Sequence, residues 1–390
     1  MVGFALSDEQ EALRSVVADF AREQVAPVIG DYYERGEFPY PIVAKMAKLG
    51  LFGLPFPQAL DGMGGDYFAF CLALHELARV DSSVAITLEA GVALGAMPIY
   101  RYGSAAQQEQ WLPPLCRGER LGAFGLTEPG GGSDIPGSMR TRARRDGDEW
   151  VIDGSKSFIT NSGTSITSVV TVLAITGPAA DAGGRPGISA IMVPAGTDGF
   201  AVSREYSKVG WRASDTRGLS FSSCRVPAGN LLGELGRGYA QFLATLDEGR
   251  VALAALAAGL AQGCVDESLR YAGQRAAFGH YLGHYQAIQF KIADMEARAH
   301  LARLAWYDAA ARLVAGQPFK KEAAIAKLTA SGAAMDNARD ATQVFGGYGF
   351  MNEYPVARFY RDAKVLEIGE GTSEVQRMVL ARQLGLDRPE

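Results

Sequence analysis

Hydrophobic positions recur at helical spacing at both ends of the chain and at strand spacing in its middle. Ser7 with Gln10 three residues on has capping-box spacing, and Leu13, Val16, Val17, Phe20 and Ala21 follow at helical period. The pattern predicts further helices over 41–49, 66–80 and 83–102, punctuated by Gly53-Leu54-Pro55 and Gly62-Met63-Gly64-Gly65. Near residue 120 the period changes. Segments 149–152, 168–175, 187–193, 200–203 and 219–221 are short and β-branched or aromatic, bounded by Asp146-Gly147, Asp153-Gly154 and Gly183-Gly184. From about Gly236 the helical period returns over 238–272, 285–315, 319–344 and 372–384, lengths that suit an antiparallel bundle. The expected fold class is therefore multi-domain α+β. An N-terminal all-α domain (1–118) precedes a central antiparallel, barrel-like β domain (119–233) and a C-terminal four-helix bundle (234–390).

A length of 390 residues with 48% apolar and 21% charged positions suits such a globular chain and excludes a disordered, collagen-like or coiled-coil one. The net charge of −5 offers no general basic surface for nucleic acid or an anionic membrane. Four widely spaced cysteines (Cys71, Cys116, Cys224, Cys264) with no CxxC pair point to a reducing compartment rather than a disulfide framework or zinc site. The N-terminus has no basic or long apolar leader pattern, so a cytoplasmic location is expected. The longest apolar candidate, Val251–Val265, is interrupted by Gln262 and falls short of the ~20 residues a bilayer needs, so no membrane insertion is expected.

Several familiar chemistries lack their residues. No GxGxxG follows a strand and there is no GxxxxGK[ST], while Gly371-Thr372-Ser373-Glu374-Val375 lacks the last glycine of GxSxG. His280 and His284 stand four apart, but Gly283 lies between them and no Glu follows the first, so no metal site is expected.

Three constellations remain. Phe124-Gly125-Leu126-Thr127-Glu128-Pro129-Gly130-Gly131-Gly132-Ser133-Asp134 could turn several backbone N–H groups towards one anion, or serve as a flexible turn between domains. Gly154-Ser155-Lys156-Ser157-Phe158-Ile159-Thr160-Asn161 could wall a flat ring and hydrogen-bond its edge, or be a hairpin with Phe158 and Ile159 in the core. In Ile368-Gly369-Glu370-Gly371-Thr372-Ser373, the capping-box spacing of Ser373 and Gln376 starts a helix near Thr372, with Glu370 just ahead of it between two glycines. A carboxylate buried there against an apolar ligand would be shifted towards neutrality, as a general base requires; alternatively it complements the helix dipole at the surface.

These segments, in this order, resemble the acyl-CoA dehydrogenase family over essentially the whole chain. The match runs through Ala123–Asp134, Asp153–Asn161, Lys208–Asp215, Arg275–Gly279 with Gln286, and Gln343–Gln376. The resemblance implies FAD bound where the β domain meets the C-terminal helices. Phe124, Leu126, Thr127, Gly132 and Ser133 would line the flavin, with Phe158, Ile159 and Thr160 at its ring. It also implies that Arg275, Phe278, Gln286, Gln343, Gly346 and Gly347 reach FAD across a subunit interface in a homotetramer, a dimer of dimers, with Thr372 and Glu374 as further cofactor contacts.

By the same resemblance Glu370 is the catalytic base, and Ser133, Asp247, Arg250 and Gly371 contact an acyl-CoA. Some branches carry the base at the position of Gly249; here that position has no side chain, and Glu248 points about 100° round the helix. The implied reaction is α,β-dehydrogenation of an acyl thioester to the trans-2-enoyl thioester, in fatty acid or branched-chain acyl metabolism, with electrons passed to an electron-transfer flavoprotein. Gly369 replaces a common Tyr and Gly131 a frequent Ala, which leaves the substrate's shape open. The alternatives are a carrier-protein-bound thioester, a flavin oxidase, or a non-catalytic assembly scaffold.

Overall fold

The computed structural model describes residues 5–179 and 186–386; the Gly183-Gly184 turn falls outside them. The N-terminal part comprises α1 (Asp8–Phe20), α2 (Ala26–Arg35), α3 (Tyr40–Lys48), α4 (Tyr67–Ala78), α5 (Ser82–Glu89), α6 (Met97–Tyr102) and α7 (Ala105–Cys116). Ser7 caps α1 through the box read from the sequence. The helix expected over 83–102 is interrupted by a π-helical stretch at Ala90–Ala96, and such bulges often mark functional positions. Among the described residues, Ser82–Tyr102 rather than Val251–Val265 is the stretch long and apolar enough to cross a membrane, yet its most apolar window is 94% buried inside the fold.

The middle contains β1 (Leu121–Gly125), a short α8 (Ile135–Ser138), β2 (Arg142–Asp146), β3 (Glu149–Thr160), β4 (Thr167–Ala179), β5 (Pro186–Pro194), β6 (Phe200–Val202), β7 (Thr216–Pro227) and β8 (Leu231–Leu232). They form one sheet in the order β6-β7-β3-β2-β4-β5-β8, with β1 alongside β4. Most pairs are antiparallel as expected, but β1 runs parallel to β4, and β2 meets β4 in parallel register at Arg142. Asp153-Gly154, read as a turn, lies inside β3 at a register shift. Glycine is required there because a Cβ on Gly154 would come within 2.5 Å of the Thr141 side chain. One face of the sheet closes on its own small core around Trp150, Ile152, Val170 and Phe221, while the helices share a second, larger one.

The C-terminal part consists of α9 (Gly238–Gln274), the ribbon β9 (Ala276–Ala277) and β10 (His280–Tyr281), then α10 (Gln286–Val314), α11 (Lys320–Phe345), α12 (Pro355–Leu366) and α13 (Ser373–Gln383). Helices α9, α10 and α11 pack on one another, α13 lies against α11, and α4 covers α9. Helix α12 is an addition to the four expected helices.

The three parts are tied by one buried polar network. Asp362 on α12 accepts from the Tyr33 hydroxyl (2.5 Å), the Ser82 hydroxyl (2.6 Å) and the Trp211 backbone N–H (2.7 Å). The Lys208–Asp215 segment thus carries the joint between sheet and helices.

Candidate active site

Glu370 occupies the turn between α12 and α13 with φ +52°, followed by Gly371 at φ +91°. The left-handed conformation costs a non-glycine residue roughly 1–2 kcal/mol, so the surroundings must hold it. The Gly371 carbonyl accepts from Lys327 Nζ at 2.8 Å and from Gln376 Nε2 at 2.9 Å. Both donors are fully buried, which pins the turn from beneath. The helix start differs by one residue from the sequence expectation: Thr372 caps α13 by accepting from the Val375 N–H, and Gln376 points inward to the turn.

Glu370 is half-buried as a residue, but its Oε2 is enclosed and has no hydrogen-bond partner. Burial pushes its carboxyl up to about 7, opposed by the Glu89 carboxyl and by the charges of Lys327 and Arg250. A proton acceptor poised near neutrality is what a general base at neutral pH needs.

Helix α9 meets this carboxylate with Gly249, where an added Cβ would sit 2.6 Å from Glu370 Oε2. Glu248 turns aside, paired with Arg101 at 3.3 Å, and its main-chain carbonyl accepts from the Tyr67 hydroxyl. Gly249→Ala is therefore expected to displace this carboxylate and lower kcat/KM by about a hundredfold. The melting temperature should hold or rise, since alanine is favoured over glycine inside a helix by roughly 1 kcal/mol. Steady-state kinetics beside a thermal melt checks this; undiminished turnover would show that the carboxylate has room elsewhere.

Asp247 and Arg250 form an ion pair with each other, and Lys320 approaches Asp247 at 3.3 Å. Arg250 lies beside Gly371, next to Glu370 in the chain. Sequence reasoning missed Lys327, Gln376 and Glu89. Lys327 and Glu89 each interrupt a run of small and apolar residues, a signal of a buried charge that was there to be used.

The second part of the site is the stretch after β1. Phe124 is buried and stacks on Phe242 at 3.9 Å, and Leu126 is buried too, so the main chain is what they can offer a ligand. Ile159 is likewise a core residue. All three side chains are drawn inside by the packing of the sheet, which leaves their main chain as what could meet a cofactor. Thr127 and Thr160 are half-buried, whereas Gly132 and Ser133 are exposed.

Phe158 is not core: it is 65% exposed, held at φ +62° with its ring against Tyr206. Beneath the loop, Glu128 accepts from the N–H groups of Arg140 (2.6 Å) and Thr141 (3.0 Å) and from Lys156 Nζ (2.8 Å). At Gly131 an alanine would come within 2.4 Å of the Ser138 hydroxyl, so in this chain Ser138 takes that space.

The third group is exposed on the β9–β10 ribbon and the ends of α10 and α11. Arg275 lies over the Tyr348 ring at 5.7 Å beside Gly346 and Gly347, whose Cα positions face open space. Phe278 is 96% exposed at the tip of the ribbon, and Gln286, at the start of α10, and Gln343, near the end of α11, are exposed as well. His280 and His284 stack their rings at 4.1 Å. Glu374, also expected at the cofactor, is exposed and pairs with Arg377.

An exposed aromatic ring in a strained conformation, next to half-buried threonines and a glycine-rich main chain, suits a flat ring carrying a phosphate tail, so these residues fit FAD. Helices, sheet and an enclosed carboxylate on a left-handed turn suit a flavin-dependent oxidoreductase. Comparison with known proteins gives the class its name. Family models for the acyl-CoA dehydrogenase N-terminal, middle and C-terminal domains match residues 7–119, 123–224 and 236–385. The chain is 46% identical to the Bacillus subtilis (strain 168) protein named "Probable acyl-CoA dehydrogenase YngJ", over 98% of this chain and 100% of that one.

The fold also matches that of butyryl-CoA dehydrogenase from Megasphaera elsdenii, with TM-score 0.93 and 40% identity over 98% of this chain and 100% of that chain. It matches with TM-score 0.93 and 38% identity a chain in a structure titled for the electron transferring flavoprotein of Acidaminococcus fermentans, over 98% of this chain and 99% of that one. The chain belongs to the acyl-CoA dehydrogenase family, an oxidoreductase family of FAD-dependent flavoproteins.

Proposed function

We propose that the protein oxidises the Cα–Cβ bond of an acyl-CoA to the trans-2-enoyl-CoA, with Glu370 as the base. The observation that carries this reading is the Glu370 carboxylate, held on a left-handed turn with a raised pKa and faced by a side-chain-free Gly249. Bound FAD supplies the acceptor for the hydride that leaves the β-carbon. Glu370 takes the α-proton onto its carboxylate, and the Lys327 and Gln376 contacts to Gly371 keep it aimed. The Glu370 N–H, at the head of α13, supports the thioester carbonyl as negative charge develops there. Phe158 and Thr160 would hold the flavin ring, while Thr127, Gly132 and Ser133 would hold the rest of the cofactor from the loop pinned by Glu128.

Short acyl chains, straight or branched, are the favoured substrates. This rests on the likeness to butyryl-CoA dehydrogenase and on the open space beside Gly369, where a Cβ would touch only the Val365 carbonyl at 3.4 Å. An electron-transfer flavoprotein is the proposed acceptor, supported by the likeness to the Acidaminococcus structure. The exposed Phe278, Phe290, Tyr348 and Phe350 support a homotetramer in which Arg275, Gln286, Gln343, Gly346 and Gly347 meet the partner's cofactor.

The test is anaerobic titration of the yellow protein with a panel of acyl-CoAs. Bleaching of the flavin band by short chains is the expected result. A loaded flavin that no acyl-CoA bleaches, but a carrier-bound acyl thioester does, would move the substrate to the carrier protein.

A further inference from the structure

Glu89 is the last residue of α5, at the point where the helix passes into the π-helical stretch Ala90–Ala96. It is fully buried, and neither of its carboxyl oxygens has a hydrogen-bond partner. A carboxylate so placed cannot remain charged without a donor. Its neighbour is the Glu370 carboxyl, whose Oε2 is unpartnered as well. Leu94, on the same π-helical stretch, lines the space between Gly249 and the base.

The other titratable groups that act on the two carboxyls are Tyr67 and Cys71 of α4, Arg250 of α9 and Lys327 of α11. The cations, Arg250 and Lys327, act on Glu370. Two buried carboxyls in contact titrate as a pair and hold one proton over a wide range of pH. The asymmetry of charge gives the ionised place to Glu370 and the proton to Glu89.

We propose that Glu89 is a positioning residue for the base: it keeps the pair's proton and donates it, as an O–H hydrogen bond, to the ionised Glu370 carboxylate. This deepens the reading of Glu370 as base and rests on it. One oxygen of Glu370 is then satisfied and oriented, and the other is left for the substrate's α-proton. When Glu370 takes that proton it becomes the neutral acid, and Glu89 keeps its own. Burial and the approach of Glu370 both push the Glu89 carboxyl well above the usual carboxylate range, in keeping with this arrangement.

The test is the acid limb of kcat/KM in the flavin-loaded enzyme, for Glu89→Gln and Glu89→Leu. The amide still donates to Glu370, so E89Q should keep the wild-type limb; E89L loses the donor and should move it up by about one pH unit. A limb unmoved in E89L, or lowered in both variants, would overturn the proposal, the second because Glu89 would then be a repelling charge.

Should E89L fail to hold flavin, infrared spectra at neutral pH decide. A band from a buried protonated carboxyl should be present in E370Q and absent from E370Q/E89Q, and its absence from both would overturn the proposal. Turnover in E370Q alone tests the base separately, so the two failures are distinguishable.

Discussion

Glu370→Gln is expected to keep its flavin and lose turnover by about a thousandfold, the scale of a general base's contribution. Glutamine nearly matches glutamate in shape, so the donors from Lys327 and Gln376 to the Gly371 carbonyl remain and the turn keeps its conformation. What is lost is the one group in the site able to accept the α-proton. The same chemistry sets a pH dependence. Burial raises the Glu370 carboxyl to about 7, and only its ionised form can act, so wild-type kcat/KM should rise with pH through about 7 and fall below it. Residual activity in E370Q should show no such limb. Flavin absorbance and single-turnover reduction measure both points, and wild-type reduction rates in E370Q would remove Glu370 from the mechanism.

The second large effect is on the cofactor loop. Lys156 is fully buried in β3, and burial lowers its pKa to about 8 even though Glu128 opposes the shift. Burial also works against a charged Glu128, but Lys156 and the N–H groups of Arg140 and Thr141 hold it below the usual carboxylate range. Lys156 further donates to the Leu126 carbonyl at 3.2 Å, so one ammonium holds the entry to the glycine-rich stretch at two points, Leu126 and Glu128. Removing one member of a buried pair leaves the other uncompensated, at a cost of about 3 kcal/mol or more. Lys156→Met should lower the melting temperature and release flavin on dilution. The double variant Lys156→Met/Glu128→Gln should recover part of the loss, because no orphan charge remains. Equal losses in the single and double variants would show that the pair is not what shapes the loop.

Helical and strand periodicity made the order of the three parts legible, because each part buries its own face at its own period. The β1 strand is not among the segments the pattern predicts, since Gly122 and Gly125 weaken it and it is completed only by lying parallel to β4. Asp153-Gly154 reads locally as a turn, yet the close approach of Thr141 makes it a bulge. Phe158 and Ile159 stand adjacent, and only the irregularity of β3 there, with Phe158 at φ +62°, decides that Ile159 enters the core while Phe158 faces out.

By itself the sequence determined the class of fold and the family resemblance, and through that resemblance it named Glu370 as the candidate base, because periodicity and residue types at short spacing are local properties. The tertiary structure alone decided that Gly249 faces Glu370, that Lys327 and Gln376 hold its turn, and that Glu89 lies against it. Residues 89, 249, 327 and 370 come from four separate helices or turns. Their meeting depends on how α5, α9 and α11 pack, and no local pattern encodes a distance across a core.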